Sequence, residues 1–167
     1  DNTKLSLLIT FDFTQRGKTG INLAAGNLIS ACKQHPLYGT HFVVDYLSIK
    51  LNEKKPNNPS IEEIVDKIDS IHPLKTLHSL ALGCYVWNTD MIEPLIQQCR
   101  SRGFKGNIIL GGYQIHESTC RELYLNGDIY LPGYGEASLP EAFLQDVVLQ
   151  KLTIVKDVDF GSLQSPY

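Results

Sequence analysis

Short apolar runs alternate with amphipathic segments along most of this chain, and that alternation restricts the fold more than any single residue does. The runs are Leu5 to Phe11, His41 to Leu47, Leu77 to Tyr85, Asn107 to Leu110 and Asp128 to Leu131. Short runs that are apolar nearly throughout are expected to be strands covered on both faces, as in a parallel sheet.

Helical spacing fills the intervals between them. Ile61, Ile64, Val65 and Ile68 recur at three and four after Ser60-x-x-Glu63, which reads as a capping box. Ile92, Leu95, Ile96 and Cys99 form a second such stripe, with Pro94 expected in the first turn of its helix. An earlier helix is expected from about Gly20 to Lys33, burying Ile21, Ala24, Leu28 and Cys32. A final helix is expected from Ser138, where Ser138-x-x-Glu141 again reads as a capping box and Pro140 falls in the first turn. His116 to Leu125 carries the weakest helical pattern, and Lys50 to Pro59 reads as a polar loop.

Strict alternation of strand and helix predicts an α/β fold, flavodoxin-like (Rossmann-like) and doubly wound. The expected sheet is five-stranded and parallel, of order 2-1-3-4-5, with helices on both faces. Residues 1–150 are read as this domain, and residues 151–167 as a short extra strand, Leu152 to Val155, followed by a connector.

Composition narrows the partners. With 167 residues, 43% of them hydrophobic, the chain can bury a real core. A net charge of -3 without a Lys/Arg cluster gives no electrostatic footprint for nucleic acid or an anionic membrane. No apolar run approaches the roughly 20 residues of a membrane span, so neither partner is expected and the location is read as cytoplasmic. Cys32, Cys84, Cys99 and Cys120 lack ligand-like spacing and read as small buried hydrophobes. The chain opens at Asp1 without a methionine, which reads as a fragment or a processed chain.

In a doubly wound sheet, ligands bind beyond the carboxyl ends of the strands, near the point where strand order reverses. That rule directs attention to the loops Asp12 to Gly20, Cys84 to Thr89, Gly111 to Gln114 and Pro132 to Glu136. The first contains Gly17-Lys18-Thr19, the tail of a phosphate-cradling loop, but Asp12 stands where that loop needs its first glycine. A carboxylate there opposes a triphosphate. A phosphoacceptor receiver is also excluded, since the third run ends Gly83-Cys84-Tyr85 and the fifth is followed by Pro132-Gly133 instead of the aspartate and lysine required. A flavin site, with Trp87, Tyr113 and Tyr134 around a ring, is the alternative, although Thr14 and Thr19 match a flavodoxin phosphate loop only in part. A cofactor-free interaction domain is the other.

Four loops together carry a resemblance. Asp12-Phe13-Thr14-Gln15-Arg16-Gly17 stands where D-x-H-x-x-G is found in cobalamin-binding domains. Ala81-Leu82-Gly83-Cys84-Tyr85-Val86-Trp87-Asn88 closes the third run, Ile108-Ile109-Leu110-Gly111-Gly112-Tyr113 the fourth, and Gly133-Tyr134-Gly135-Glu136 follows the fifth. In order and spacing the chain resembles the cobalamin-binding domain family, and most of all the amino-terminal domain of cobalamin-dependent radical S-adenosylmethionine enzymes.

That resemblance implies a cofactor site at Thr14, Gln15, Arg16, Gly17, Cys84, Tyr85, Val86, Trp87, Asn88, Gly111, Gly112, Tyr113, Gln114, Gly133, Tyr134, Gly135 and Glu136. The glycines would admit the ligand's nucleotide tail against the backbone. Cys84 to Trp87 would form an apolar wall beside the corrin, and Asn88 would bind a corrin amide or cap the next helix. Glu136 would accept hydrogen bonds from ligand hydroxyls or amides. Thr14 replaces the histidine that can ligate cobalt, so the resemblance implies base-off cobalamin without a protein ligand to the metal.

It also implies that Asp157 to Tyr167 leads into a radical S-adenosylmethionine domain of the same polypeptide, the expected partner. S-adenosylmethionine and a 4Fe-4S cluster would belong to that domain, because no C-x-x-x-C-x-x-C occurs here. No nucleophile–base pair is found in the loops, so this chain alone is expected to bind and not to catalyse; the whole enzyme is expected to be a methyltransferase or a related radical enzyme.

Overall fold

The computed structural model describes residues 2–13, 23–51, 58–112, 114–133 and 135–155. Strands β1 (Lys4–Phe13), β2 (Phe42–Leu51), β3 (Ser79–Gly83), β4 (Asn107–Gly111), β5 (Ile129–Leu131) and β6 (Leu152–Thr153) form one sheet of order β2-β1-β3-β4-β5-β6. Every pairing is parallel. The sheet therefore has six strands where a five-stranded sheet was expected, the sixth being the short extra strand read at Leu152 to Val155, here Leu152–Thr153. The extra one, β6, lies beside β5 through Ile129↔Leu152, so the order runs one strand further than 2-1-3-4-5.

Strand alternation divides the core in two. Leu7, Ile9 and Phe11 of β1 point towards α2 (Ile61–Ile71) and α3 (Thr89–Ser101), where they meet Ile64, Ile68, Leu95 and Cys99. Leu8 points the other way, with Ala81, Ile109 and Phe42, towards α1 (Leu23–Gln34) and α5 (Ser138–Leu144). Each fully buried Leu or Ile contributes about 1.5–3 kcal/mol, which is why the apolar runs choose this arrangement.

Several local expectations are corrected. The capping box at Ser60 is present: Ser60 Oγ accepts from Glu63 N at 3.1 Å, and Ser60 N donates back to the Glu63 carboxylate. At Ser138 it is not. Ser138 is itself the first helical residue, is fully buried, and its hydroxyl has no partner among the described residues, while Ala137 occupies the cap. Pro94 lies inside α3, past the first turn, because a 3-10 turn at Val86–Asn88 runs directly into the helix and starts it early. Lacking an N–H, Pro94 leaves the Asp90 carbonyl without its helical donor. The segment 116–125 supplies only a single turn, α4 (Cys120–Leu123).

Two features of the sheet prepare the site. β1 pairs with β2 as far as Phe13↔Leu51 but with β3 only from Ser6 to Ile9, so the ends of β1 and β2 project as a lip beyond β3. At the opposite end the α5 side is closed by the chain after α5. The Asn107 amide donates to Asp146 O and accepts from Val148 N, and His78 donates to Gln145 O at 2.6 Å. The α1/α5 face is thus plugged at the amino ends of the strands and opens at their carboxyl ends. Among the described residues no helix is long and apolar enough to cross a membrane.

Candidate functional site

At the open end, a cavity of about 300 Å³ runs down the α1/α5 face of the sheet. Its floor is Leu8, Ala81 and Ile109, from three adjacent strands; Ala24 and Leu28 of α1 and Leu139 of α5 form its sides. Gly83, Gly111, Gly112, Gly133 and Gly135 surround the mouth, with Tyr85, His116 and Glu136.

Backbone hydrogen bonds knit this rim together. Cys84 N donates to Gly111 O at 2.7 Å, and Gln114 N donates to Cys84 O at 3.2 Å, so the loops after β3 and β4 form one unit. Gly112 makes that contact possible. Its φ is +108°, and a Cβ there would lie 2.6 Å from the Cys84 carbonyl oxygen. Gly83 is needed for a different reason: the Tyr85 ring folds back over it, within 2.8 Å of where a Cβ would be.

Tyr85 in turn stacks on Trp87, with centroids 4.6 Å apart and planes 8° from parallel. Trp87 is pinned by its indole N–H, which donates to Phe11 O at 2.8 Å, and it packs on Phe13 across the projecting lip. Phe13, Val86 and Trp87 remain largely exposed. The result is an aromatic shoulder beside the mouth of the slot.

The expected site residues divide clearly. Gly111, Gly112, Gly133, Gly135, Tyr85 and Glu136 line the slot, and Gln114 closes the loop behind it. Val86 and Trp87 stand on the shoulder. Cys84 does not join a ligand-facing wall: strand alternation turns it into the α2/α3 core, where it is fully buried and burial pushes its thiol well above the ordinary range. Asn88 does not line the slot, and although it stands at the N-cap position of α3 its side chain makes no capping bond to that helix. It is fully buried, donates to Gly83 O at 2.8 Å and accepts from Tyr85 N at 2.7 Å, so its amide braces the loop that carries Tyr85. Thr14, Gln15, Arg16, Gly17, Tyr113 and Tyr134 lie outside the described residues.

A polar network that the sequence reading did not single out borders the slot. Thr10, which lines it, donates from Oγ1 to Asp12 Oδ2 at 2.7 Å, and Ser48 Oγ donates to the same oxygen at 2.6 Å. Tyr46 OH lies 2.5 Å from Thr10 Oγ1. Either hydroxyl can be the donor in that pair. Burial, together with the nearby Asp12 carboxylate, raises the Tyr46 phenol and keeps its proton in place. Period-two spacing of Leu8, Thr10 and Asp12 was the available signal. His116 was missed because nothing in its spacing separated it from the other histidines.

Among the described residues, no three His, Cys, Asp or Glu side chains converge as a metal site. A second recess, between Gln97, Arg100, Asn126 and Lys151, has its cations already engaged: Arg100 holds Asp128 at 2.6 Å, and Lys151 donates to Gly127 O and Tyr130 OH. The slot at the carboxyl end is the stronger candidate. The chain matches no model of a known protein family, and a search of curated proteins finds no match either.

Proposed function

We propose that this chain is a cobalamin-binding module, taking the cofactor base-off with no histidine of its own on cobalt, and that it serves a cobalamin-dependent radical S-adenosylmethionine enzyme. The slot carries the reading. At about 300 Å³ it stands at the small end of ligand sites, which span roughly 300–1,000 Å³. That volume accommodates a displaced aromatic base and part of its sugar, whereas a macrocycle must remain outside, over the rim.

The residues fit that division. Leu8, Ala81, Ile109 and Leu139 offer the base an apolar bed, and the rim glycines remove the side chains that would obstruct the tail's descent. Tyr85, Val86 and Trp87 give the macrocycle an apolar edge to rest on. Bound corrin would supply methyl-transfer or redox chemistry at cobalt; the chain's own work is to bind, orient and shield. A flavin reading is less well supported, since Trp87 is pinned against Tyr85 instead of parted from a second ring to receive one.

The test is a visible-absorption titration with hydroxocobalamin and, separately, FMN. Cobalamin should shift to a base-off spectrum and FMN should remain unchanged. Gly111→Leu offers a test variant: Gly111 lines the slot, and a Cβ there would make only ordinary contacts, with Leu131 Cβ at 3.8 Å and Leu131 O at 3.9 Å. Cobalamin affinity should fall about tenfold or more while thermal stability holds. Undiminished affinity would remove the slot from the binding site.

A further inference from the structure

Asn126 and Gly127 lie in the short link from α4 to β5, at the amino ends of the strands and away from the slot. Packing demands the glycine: a Cβ on residue 127 would stand 2.8 Å from Leu110 Cδ1 and 2.9 Å from Tyr130 Cε1, both core side chains. That glycine also makes the asparagine before it reactive, because no side chain shields Asn126 Cγ from the Gly127 nitrogen. The same nitrogen makes no hydrogen bond among the described residues. Two charged side chains from elsewhere in the chain hold the link. Glu93 of α3 accepts from Asn126 N at 3.2 Å on one carboxylate oxygen and from Asn126 Nδ2 on the other. Lys151, just before β6, donates to Leu125 O and, at 2.7 Å, to Gly127 O. Glu93 thus draws the side-chain amide back beside Asn126's own N–H, while Lys151 fixes the Gly127 carbonyl.

We propose that Asn126 is a deamidation site restrained by Glu93, and that its conversion to aspartate releases the link from α3. What the slot binds has no bearing on it. In the reaction the Gly127 nitrogen gives its proton to hydroxide and attacks Asn126 Cγ. A cyclic imide closes as the new N–Cγ bond forms and the Cγ–Nδ2 bond breaks, and ammonia leaves with a proton from solvent. Asn126 is exposed, so water reaches the imide and opens it at either carbonyl, leaving aspartate or isoaspartate and one more negative charge. In the aspartate product the donor that met Glu93 has become a carboxylate, and two like charges face each other. Lys151 offers little relief, because its N–H bonds already go to Leu125 O, Gly127 O and Tyr130 OH. The carboxylates part, and α3 loses its hold on the entry to β5.

The experiment incubates the whole chain in warm, mildly alkaline buffer, with and without urea, and follows Asn126 by peptide mapping. Native Asn126 should convert about tenfold or more slowly than Asn126 of the unfolded chain, since the reaction must await local opening. Glu93→Ala should speed native conversion about fivefold or more, and Glu93→Gln, which keeps one acceptor, should fall between the two. Thermal melts then read the release. Asn126→Asp should lower Tm more than Asn126→Ala does, and the difference should vanish when each is combined with Glu93→Gln, which removes the opposing charge and keeps the shape. Native conversion as fast as in urea, or Glu93 variants no faster than the wild type, overturns the restraint. Equal losses of Tm for Asn126→Asp and Asn126→Ala, or a difference that survives Glu93→Gln, overturn the release. If Glu93→Ala does not fold, the rate with Glu93→Gln and the melts decide.

Discussion

Gly112 and Gly133 both have positive φ, at +108° and +77°, yet they should respond differently to a methyl group. At Gly133 no atom of the described residues lies within 4 Å of the added atom, so Gly133→Ala should meet mainly the backbone penalty of the left-handed region, about 1 kcal/mol. At Gly112 the methyl also runs into the Cys84 carbonyl, 2.6 Å away, and the β3 and β4 loops must separate to relieve it. Gly112→Ala should cost about 2–4 kcal/mol by urea denaturation, and a cost no larger than that of Gly133→Ala would contradict the joined-loop geometry. The cysteines make a second check. All four are free and buried, and burial raises Cys32 to about 12 and Cys99 to about 11. A thiol reagent at pH 8 should label the native protein slowly and four thiols promptly once it is unfolded in guanidinium.

Two Ser-x-x-Glu stretches look alike in the sequence and behave in opposite ways as helix starts. Ser60→Ala deletes a working cap of α2 and should cost about 1 kcal/mol, whereas Ser138→Ala removes a buried hydroxyl without a partner among the described residues and should be neutral or stabilising. Thermal melts of the two variants would check this directly; equal losses would mean that Ser138 has a partner in solution. The difference arises because α5 is short and packed hard on the sheet, which draws Ser138 into the helix and leaves Ala137 at its start. A further tie joins β2 to the end of α2, where His72 Nε2 lies 2.9 Å from Asp45 Oδ2. The hydrogen bond from His72 holds the Asp45 carboxyl below its ordinary 3.8. Folding thus gains from the charged form, fully above about pH 5, and loses that gain as the pH falls below 4. With half of the Asp45 side chain exposed, the gain is at most about 1 kcal/mol, and Asp45→Asn should flatten stability between pH 3 and 5 only slightly.

For the molecule as a whole, occupation of the slot should tie α1 and α5 more firmly to the loops after β3, β4 and β5 that surround its mouth. A ligand that binds only the folded chain adds about 2.7 kcal/mol at a hundredfold excess over Kd, so hydroxocobalamin at that level should raise Tm by roughly 5–10 °C. No rise would argue that the slot is not the seat of binding. The run-and-stripe pattern was enough to read a parallel α/β sheet, the order of its first five strands and the end at which its loops gather, because strand and helix periodicities are local and right-handed crossovers leave few topologies. It was enough, too, to pick out Gly111, Gly112, Gly133 and Gly135 at the rim. The direction in which each neighbouring side chain points was beyond it. Cys84 and Asn88 turn inward, Tyr85 folds over Gly83, and Thr10 bonds to Asp12, since each outcome depends on partners brought close only by folding: Gly111 for the Cys84 loop, Tyr46 and Ser48 for Thr10. Local chemistry names the elements, but a cavity is empty space between distant segments, and only their packing creates it.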